Sequence, residues 1–308
     1  MRERGLSWKA RLRDVGLPET LLFERERPIP LLAGTRFVAN ASETEGPDIS
    51  CRVLTDTSFA QLATLGRVVI GARTPREAFG NMMRFYPQHS SHEQIVVLPS
   101  DGTETMRHRF LVNLDDTALH VCHQYVAALV RAVMADTGLA DSRPPFVQLT
   151  PHPTYGLDHL HKYLGKAVSP AVDGTLTMTL DNQVLDRAYL RRSLGRKAFE
   201  ITPICGDGSL TYALRTILPG ILDQGPAHIA EIAALAGTSP RSFQRQLAAE
   251  NTSFSKEVDR LRREQALNRL KHSGDNVGDI AADLGYSEQS SLTRAMRRWT
   301  SKPPRQMR

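Results

Sequence analysis

A chain of 308 residues, 41% apolar and 23% charged, is long enough for two domains with separate cores and too rich in apolar residues to be a disordered tail. Its formal charge of +6 sits almost wholly at one end: residues 225–308 hold 14 Lys and Arg against 9 Asp and Glu, and the remainder holds 25 against 24. Three scattered cysteines, Cys51, Cys122 and Cys205, exclude a cystine-stapled secreted scaffold and predict buried, unreactive thiols in a reducing compartment.

The N-terminal stretch MRERGLSWKARLRDVG is charged at regular intervals and lacks the apolar core of a secretory signal. The richest apolar stretch, YVAALVRAVMA, is short and carries Arg131, too little for a bilayer span. A soluble cytoplasmic protein without a membrane partner is the expectation. Helices are predicted over Ser58–Gly66, over Pro75–Tyr86 with Thr74 as N-cap, over Asp116–Asp136 and over Pro153–Leu164. Strands are predicted at EQIVVLP (93–99), RHRFLVNL (107–114), PFVQLTP (145–151) and TLTMTL (175–180). Residues 1–190 therefore read as an α+β domain whose strand order is open. The glycine-rich, basic stretch 191–208 reads as a linker, and residues 209–308 as an all-α domain of two helix-turn-helix units joined by a long helix.

The last part repeats itself. Ile232, Ala233, Gly237 and Ser239 match Ile280, Ala281, Gly285 and Ser287 at an offset of 48, and Phe243, Arg245 and Leu247 match Leu292, Arg294 and Met296 at an offset of 49. In each copy an Ile-Ala pair supplies a buried face, a glycine supplies the positive φ of a sharp turn, and a serine is expected to cap the next helix, with Pro240 pre-set in the first copy. Phe243 with Leu247, and Leu292 with Met296, then point inward. Arg241, Gln244 and Arg245 are left outside in the first unit, and Gln289, Ser290, Thr293 and Arg294 in the second. Arg and Gln make two-pronged hydrogen bonds to guanine and adenine edges, and Ser and Thr serve either base. Ser239, Ser287, Arg297 and Lys302 are candidate phosphate contacts. Between the copies, SFSKEVDRLRREQALNRLKHSG lines up Phe254, Val258, Leu261 and Leu270 and stops at Gly274. A helix of that length is about 30 Å long, close to the ~34 Å turn of a DNA duplex, so it would set two reading helices into successive major grooves.

The segment IAADLGYSEQSSLTRAMRRWTSKPPRQMR resembles the C-terminal signature of the AraC/XylS family of bacterial transcription regulators at Gly285, Tyr286, Ser290, Ser291, Arg294, Trp299, Pro304 and Arg308. It departs at Leu292 and Met296, where phenylalanine is usual, at Ser301, where glycine is usual, and at Met307, where an aromatic is usual. The resemblance covers residues 225–308 and implies base reading by the same seven residues, Arg241, Gln244, Arg245, Gln289, Ser290, Thr293 and Arg294. More loosely, RVVIGARTPREAFGNMMRFYP, PFVQLTPHP and HKYLGKAVSP resemble the effector-binding domain of a subgroup that regulates arginine and ornithine catabolism. That implies a small-molecule or dimerisation domain, with double-stranded DNA, a small effector, RNA polymerase and a second copy of the chain as partners.

The competing reading keeps the DNA-binding role and makes residues 1–190 a protein-interaction or dimerisation module without a ligand. An enzyme is not expected: GxSxG, P-loop, GxGxxG and HExxH patterns are absent, and Asp115 with Asp116, or Asp207 near Asp223, suit caps and turns equally well. No cofactor is expected. His120, Cys122 and His123, with His159 and His161, raise a metal site, but helix residues two apart do not share a face and no standard zinc spacing is present. Buried thiols and surface histidines, including His89 and His92, are the expectation there.

Overall fold

The structure, a computed structural model, describes residues 8–22, 27–54, 66, 69, 71–135, 137–139, 142–190, 208–222, 225–272 and 275–307. The described residues fall into two compact units: one drawn from 1–11, 22–26 and 31–205, the other from 12–21, 27–30 and 206–308. Segments 12–21 and 27–30, N-terminal in sequence, are thus grouped with the second unit. The expected linker, apart from Gly208, and the expected helix at 58–66, apart from Gly66, lie outside the described residues.

The helices are α1 (Trp8–Asp14), α2 (Leu31–Glu45), α3 (Ile49–Val53) and α4 (Pro75–His89), followed by strands β1 (Glu93–Ser100) and β2 (Thr103–Phe110) and helix α5 (Asp116–Ala135). Then come β3 (Phe146–Leu149), α6 (His161–Leu164), β4 (Val168–Pro170), β5 (Leu176–Asp181) and α7 (Asn182–Leu185). The strands form one sheet in the order β1-β2-β5-β3-β4, antiparallel except for the β3–β4 pair. The α+β expectation for this region is therefore met. On β5, Leu176, Met178 and Leu180 are buried and alternate with half-buried threonines, the period-two pattern of a strand with one face on a core. That core unites Met106, Val147, Leu149 and Met178 with Ala127, Val130, Val133 and Met134 of α5.

Local chemistry explains where α4 begins. The Thr74 hydroxyl accepts the Glu77 amide proton, Pro75 takes the first helical position, and the Glu77 carboxylate reaches back to the Arg73 amide at 3.0 Å. Asp115 similarly accepts the Ala118 amide at 2.8 Å where α5 starts. At 20 residues α5 is long and apolar enough to cross a membrane by length and composition, but it is mostly buried inside its unit, as a core helix would be.

The helix expected over Pro153–Leu164 is not formed as one element. His152 Nδ1 accepts the backbone N–H groups of Thr154 and Tyr155, and an isolated bridge pairs His152 with Gly156, whose φ is 57°. A turn closed by its own side chain leaves the backbone no route into a helix until residues 158–160, a 3-10 turn that leads into α6.

The second unit is helical: α8 (Leu210–Leu222), α9 (Ile229–Leu235), α10 (Pro240–Ala249), α11 (Phe254–His272), α12 (Val277–Asp283) and α13 (Gln289–Thr300). Two small cores share α11. Leu214, Leu218, Ile232, Ala233, Phe243 and Leu247 pack on Val258 and Leu261, while Ile280, Ala281, Leu284, Leu292 and Met296 pack on Ala266 and Leu270. The Glu250 carboxylate accepts the Leu210 and Thr211 amides at 2.9 and 2.7 Å, satisfying orphan donors at the start of α8.

Ser301, at the C-cap of α13, takes a φ of 60°. A β-carbon is disfavoured there, so Ser301→Gly is expected to stabilise the chain by about 0.5–1 kcal/mol after glycine's own entropy cost. An unfolding midpoint that stays put or drops would contradict this.

Candidate nucleic-acid interface

Each repeat builds the same turn from the same backbone bonds. After α9, the Thr238 amide bonds to the Ala233 carbonyl at 2.9 Å and the Gly237 amide to Ala234 at 3.1 Å. After α12, the Tyr286 amide bonds to Ala281 at 2.9 Å and Gly285 to Ala282 at 3.0 Å. These paired bonds close a helix end over a left-handed residue, and Gly237 and Gly285 have φ of 65° and 75°. A β-carbon on Gly285 would also sit 3.2 Å from Arg262 Nη2. That guanidinium, from α11, lies 5.2 Å from the Tyr286 ring centre and braces the turn from below.

The helices after these turns start differently. Ser239 caps α10, its hydroxyl accepting the Ser242 amide at 3.2 Å. Ser287 does not cap α13: the N-cap is Glu288, without a side-chain cap bond, and its carboxylate accepts from the Ser290 hydroxyl at 2.9 Å. The additional residue of the second repeat therefore enters the turn, before the helix begins, and displaces serine from the capping position.

Phe243, Leu247, Leu292 and Met296 are buried as their spacing requires. On the opposite side Arg241, Gln244, Arg245, Gln289, Ser290 and Arg294 are exposed and Thr293 is half-buried, its hydroxyl donating to the Gln289 carbonyl at 3.0 Å. Ser239, Ser287, Arg297 and Lys302 are exposed as well. Four other arginines of the unit are paired with carboxylates: Arg298 with Asp259 at 2.6 Å, Arg269 with Asp275 and Asp283 at 2.6 and 2.7 Å, and Arg260 and Arg215 with Glu257 at 3.1 and 2.6 Å. Among the described residues, the side chains of Arg241, Arg245 and Arg297 have no hydrogen bond or ion pair, and Arg294 touches only Ser291 Oγ, at 3.1 Å. Cations held on rigid helices without counter-charges are available to a polyanion.

Sequence reasoning missed the bracing residues. Glu257, Arg262 and Asp259 sit in what reads as an ordinary charged helix surface, and their partners stand 24 to 42 positions away. Only the Glu257–Arg260 and Arg260–Glu264 spacings carried a local sign of pairing.

Two helix-turn-helix units on a shared helix define a DNA-binding protein. A helix-turn-helix domain model matches residues 232–308, and a model described as the arabinose-binding domain of AraC transcription regulator, N-terminal, matches residues 5–171. The chain belongs to the AraC family of transcription regulators. It is 26% identical over 322 residues to the HTH-type transcriptional regulator VirS of Mycobacterium tuberculosis, spanning 100% of this chain and 92% of VirS. It is 34% identical over 101 residues to the HTH-type transcriptional regulator VqsM of Pseudomonas aeruginosa, which spans 33% and 31% of the two chains. The ornithine utilization regulator of the same species is 36% identical over 67 residues, 22% and 20% of the chains.

Proposed function

We propose that this DNA-binding transcription regulator reads a specific operator through Arg241, Gln244 and Arg245 in one major groove and Gln289, Ser290, Thr293 and Arg294 in the next. Ser239, Ser287, Arg297 and Lys302 hold phosphates. The observation that carries the reading is a contrast in pairing: Arg215, Arg260, Arg269 and Arg298 are spent on carboxylates, whereas among the described residues Arg241, Arg245 and Arg294, on the face opposite the core, meet none. The 19 residues of α11 make a spacer of about 28 Å, of the order of the ~34 Å duplex turn. Residues 1–190 act as the sensing domain, 191–208 as linker and 209–308 as the reader. The regulator works in the cytoplasm with RNA polymerase, as a homodimer, under a small metabolite.

Each bidentate base contact contributes about 1–3 kcal/mol of discrimination. Arg294→Ala is therefore expected to relax sequence choice by roughly tenfold or more at the bases it reads, and Lys302→Ala to weaken all sequences alike and flatten the salt dependence. Footprinting and binding titrations over a set of operators check both; an unaltered sequence profile in Arg294→Ala overturns the assignment. The reading in which the first unit is an interaction module has one observation in its favour, since Val96 and Leu98 stand 39% and 49% exposed on the edge strand β1. A thermal-shift screen of the full chain against metabolites separates the two, because a true effector raises the unfolding midpoint by mass action.

A further inference from the structure

Three histidines that are far apart in sequence meet in the first unit. His120 comes from α5, His152 from the turn after β3, and His159 from the 3-10 turn before α6. Their ring centres are separated by 5.1 Å (120–159), 5.3 Å (120–152) and 6.4 Å (152–159).

The His120 ring is oriented from behind. Its Nδ1 lies 2.8 Å from the Thr150 carbonyl, so it carries the proton and leaves the Nε2 lone pair facing the other rings. Gln124 Nε2, fixed by a bond to the Pro47 carbonyl, approaches the same Nε2 at 3.4 Å, which agrees with its role as an acceptor. A histidine whose far nitrogen is anchored to a backbone carbonyl is the usual support for a metal ligand. His159 Nε2 stands 3.1 Å from His120 Nε2, close to the ~3.3 Å that separates two nitrogens bound at tetrahedral zinc distances. His120 is fully buried while His152 and His159 are half-buried, which leaves a route from solvent.

We propose that His120 and His159 bind a divalent ion of the zinc class through their Nε2 atoms, with His152 as third ligand and water at the open position. Among the described residues no three His, Cys, Asp or Glu side chains are placed so that together they could hold an ion, and the third ring shows why. His152 Nδ1 is occupied by the Thr154 and Tyr155 amides, so the ring must turn about its Cβ–Cγ bond to offer a lone pair. The proton shared between the two Nε2 atoms moves to Nδ1 of His159 by tautomerisation as the ion enters, and no net charge is left on the rings. The expectation that set His120 and His159 aside as metal ligands rested on helix spacing and the lack of a standard zinc pattern and did not include His152; the trio draws on three elements.

The test uses the full chain, stripped with chelator, titrated with Zn²⁺ by calorimetry and with Co²⁺ by visible absorption. Expected are one equivalent bound at micromolar or tighter affinity, an intense tetrahedral-type Co²⁺ band, and a raised unfolding midpoint. His159→Gln, on a half-exposed ring, should abolish all three while keeping the parent circular dichroism, and His152→Gln should weaken binding at least tenfold. No binding at tens of micromolar would overturn the proposal and leave an imidazole–imidazole hydrogen bond only. Binding unchanged in both variants, or a weak octahedral-type Co²⁺ spectrum, would equally overturn it by placing the ion elsewhere.

Discussion

Glu257→Ala is expected to cost the second unit about 2 kcal/mol, the scale of hydrogen bonds to a charged group, because the arginines left behind are 45% and 33% exposed and can turn to water. The Glu257 carboxylate is 2% exposed and accepts four bonds: Arg215 Nε at 2.6 Å and Nη2 at 3.0 Å, the Thr252 hydroxyl at 2.6 Å and Arg260 Nε at 3.1 Å. Removing it deletes the polar link between α8 and the start of α11 and leaves the apolar packing of Leu214 and Leu218 on Val258 and Leu261. The Arg215 bonds are the main reason its pKa falls to about 2 despite the opposing effect of burial. The folded value is lower than the unfolded one, so the contribution is complete above about pH 4.5 and fades as pH drops toward 2. Glu257→Gln should remove that acid dependence even where its shape is tolerated. Calorimetry from pH 6 to pH 3 checks both variants, and a second-unit transition unmoved by Glu257→Ala would refute the account.

The other large effect is acid sensitivity of the first unit in a higher window. His123 is fully buried between Phe110, stacked at 5.6 Å, and His108, edge-on at 5.6 Å, and neither of its ring nitrogens has a hydrogen-bond partner among the described residues. Burial, and then the neighbouring His108, push it down to about 3. Unfolding releases a histidine that titrates near 6.5, so stability is whole above that pH and falls as pH drops below it, until His123 itself protonates. At pH 5 the loss from this one residue is about 2 kcal/mol. His123→Phe keeps the stacked ring and removes the liability, and should make the decline of the unfolding midpoint between pH 7 and pH 5 visibly shallower. A variant that declines as steeply as the parent would assign the effect to another group.

What the sequence made legible was whatever is encoded locally. Both helix-turn-helix copies could be read because a positive-φ glycine and an inward pair four residues apart are decided within a dozen residues. The start of α4 could be read for the same reason, from Thr74 and Pro75. The limits of that legibility appear at Ser287, where one additional turn residue moved the cap to Glu288, and at His152, whose side chain closes a turn where proline and a polar run suggested a helix. Strand β4, three residues ending at Pro170, and helix α2, with an alanine- and serine-rich buried face, carry too little apolar periodicity to declare themselves. The seven residues proposed to read bases could be named because exposure is set by helical period once two inward positions are fixed. The carboxylate partners of Arg215 and Arg298 could not, since such pairings depend on how α8 and α13 lie against α11.

The division of α11 between two cores has a consequence for tolerated change. Val258 and Leu261 belong to one core and Ala266 and Leu270 to the other, with exposed Arg263 and Glu264 between them. A single residue inserted at that seam would leave the packing within each core intact yet rotate one half against the other by about 100°, breaking the Asp259–Arg298 and Arg262–Tyr286 contacts that cross it. The seam thus acts as a phase gauge, and lineages of this chain should exchange side chains there freely while conserving the count.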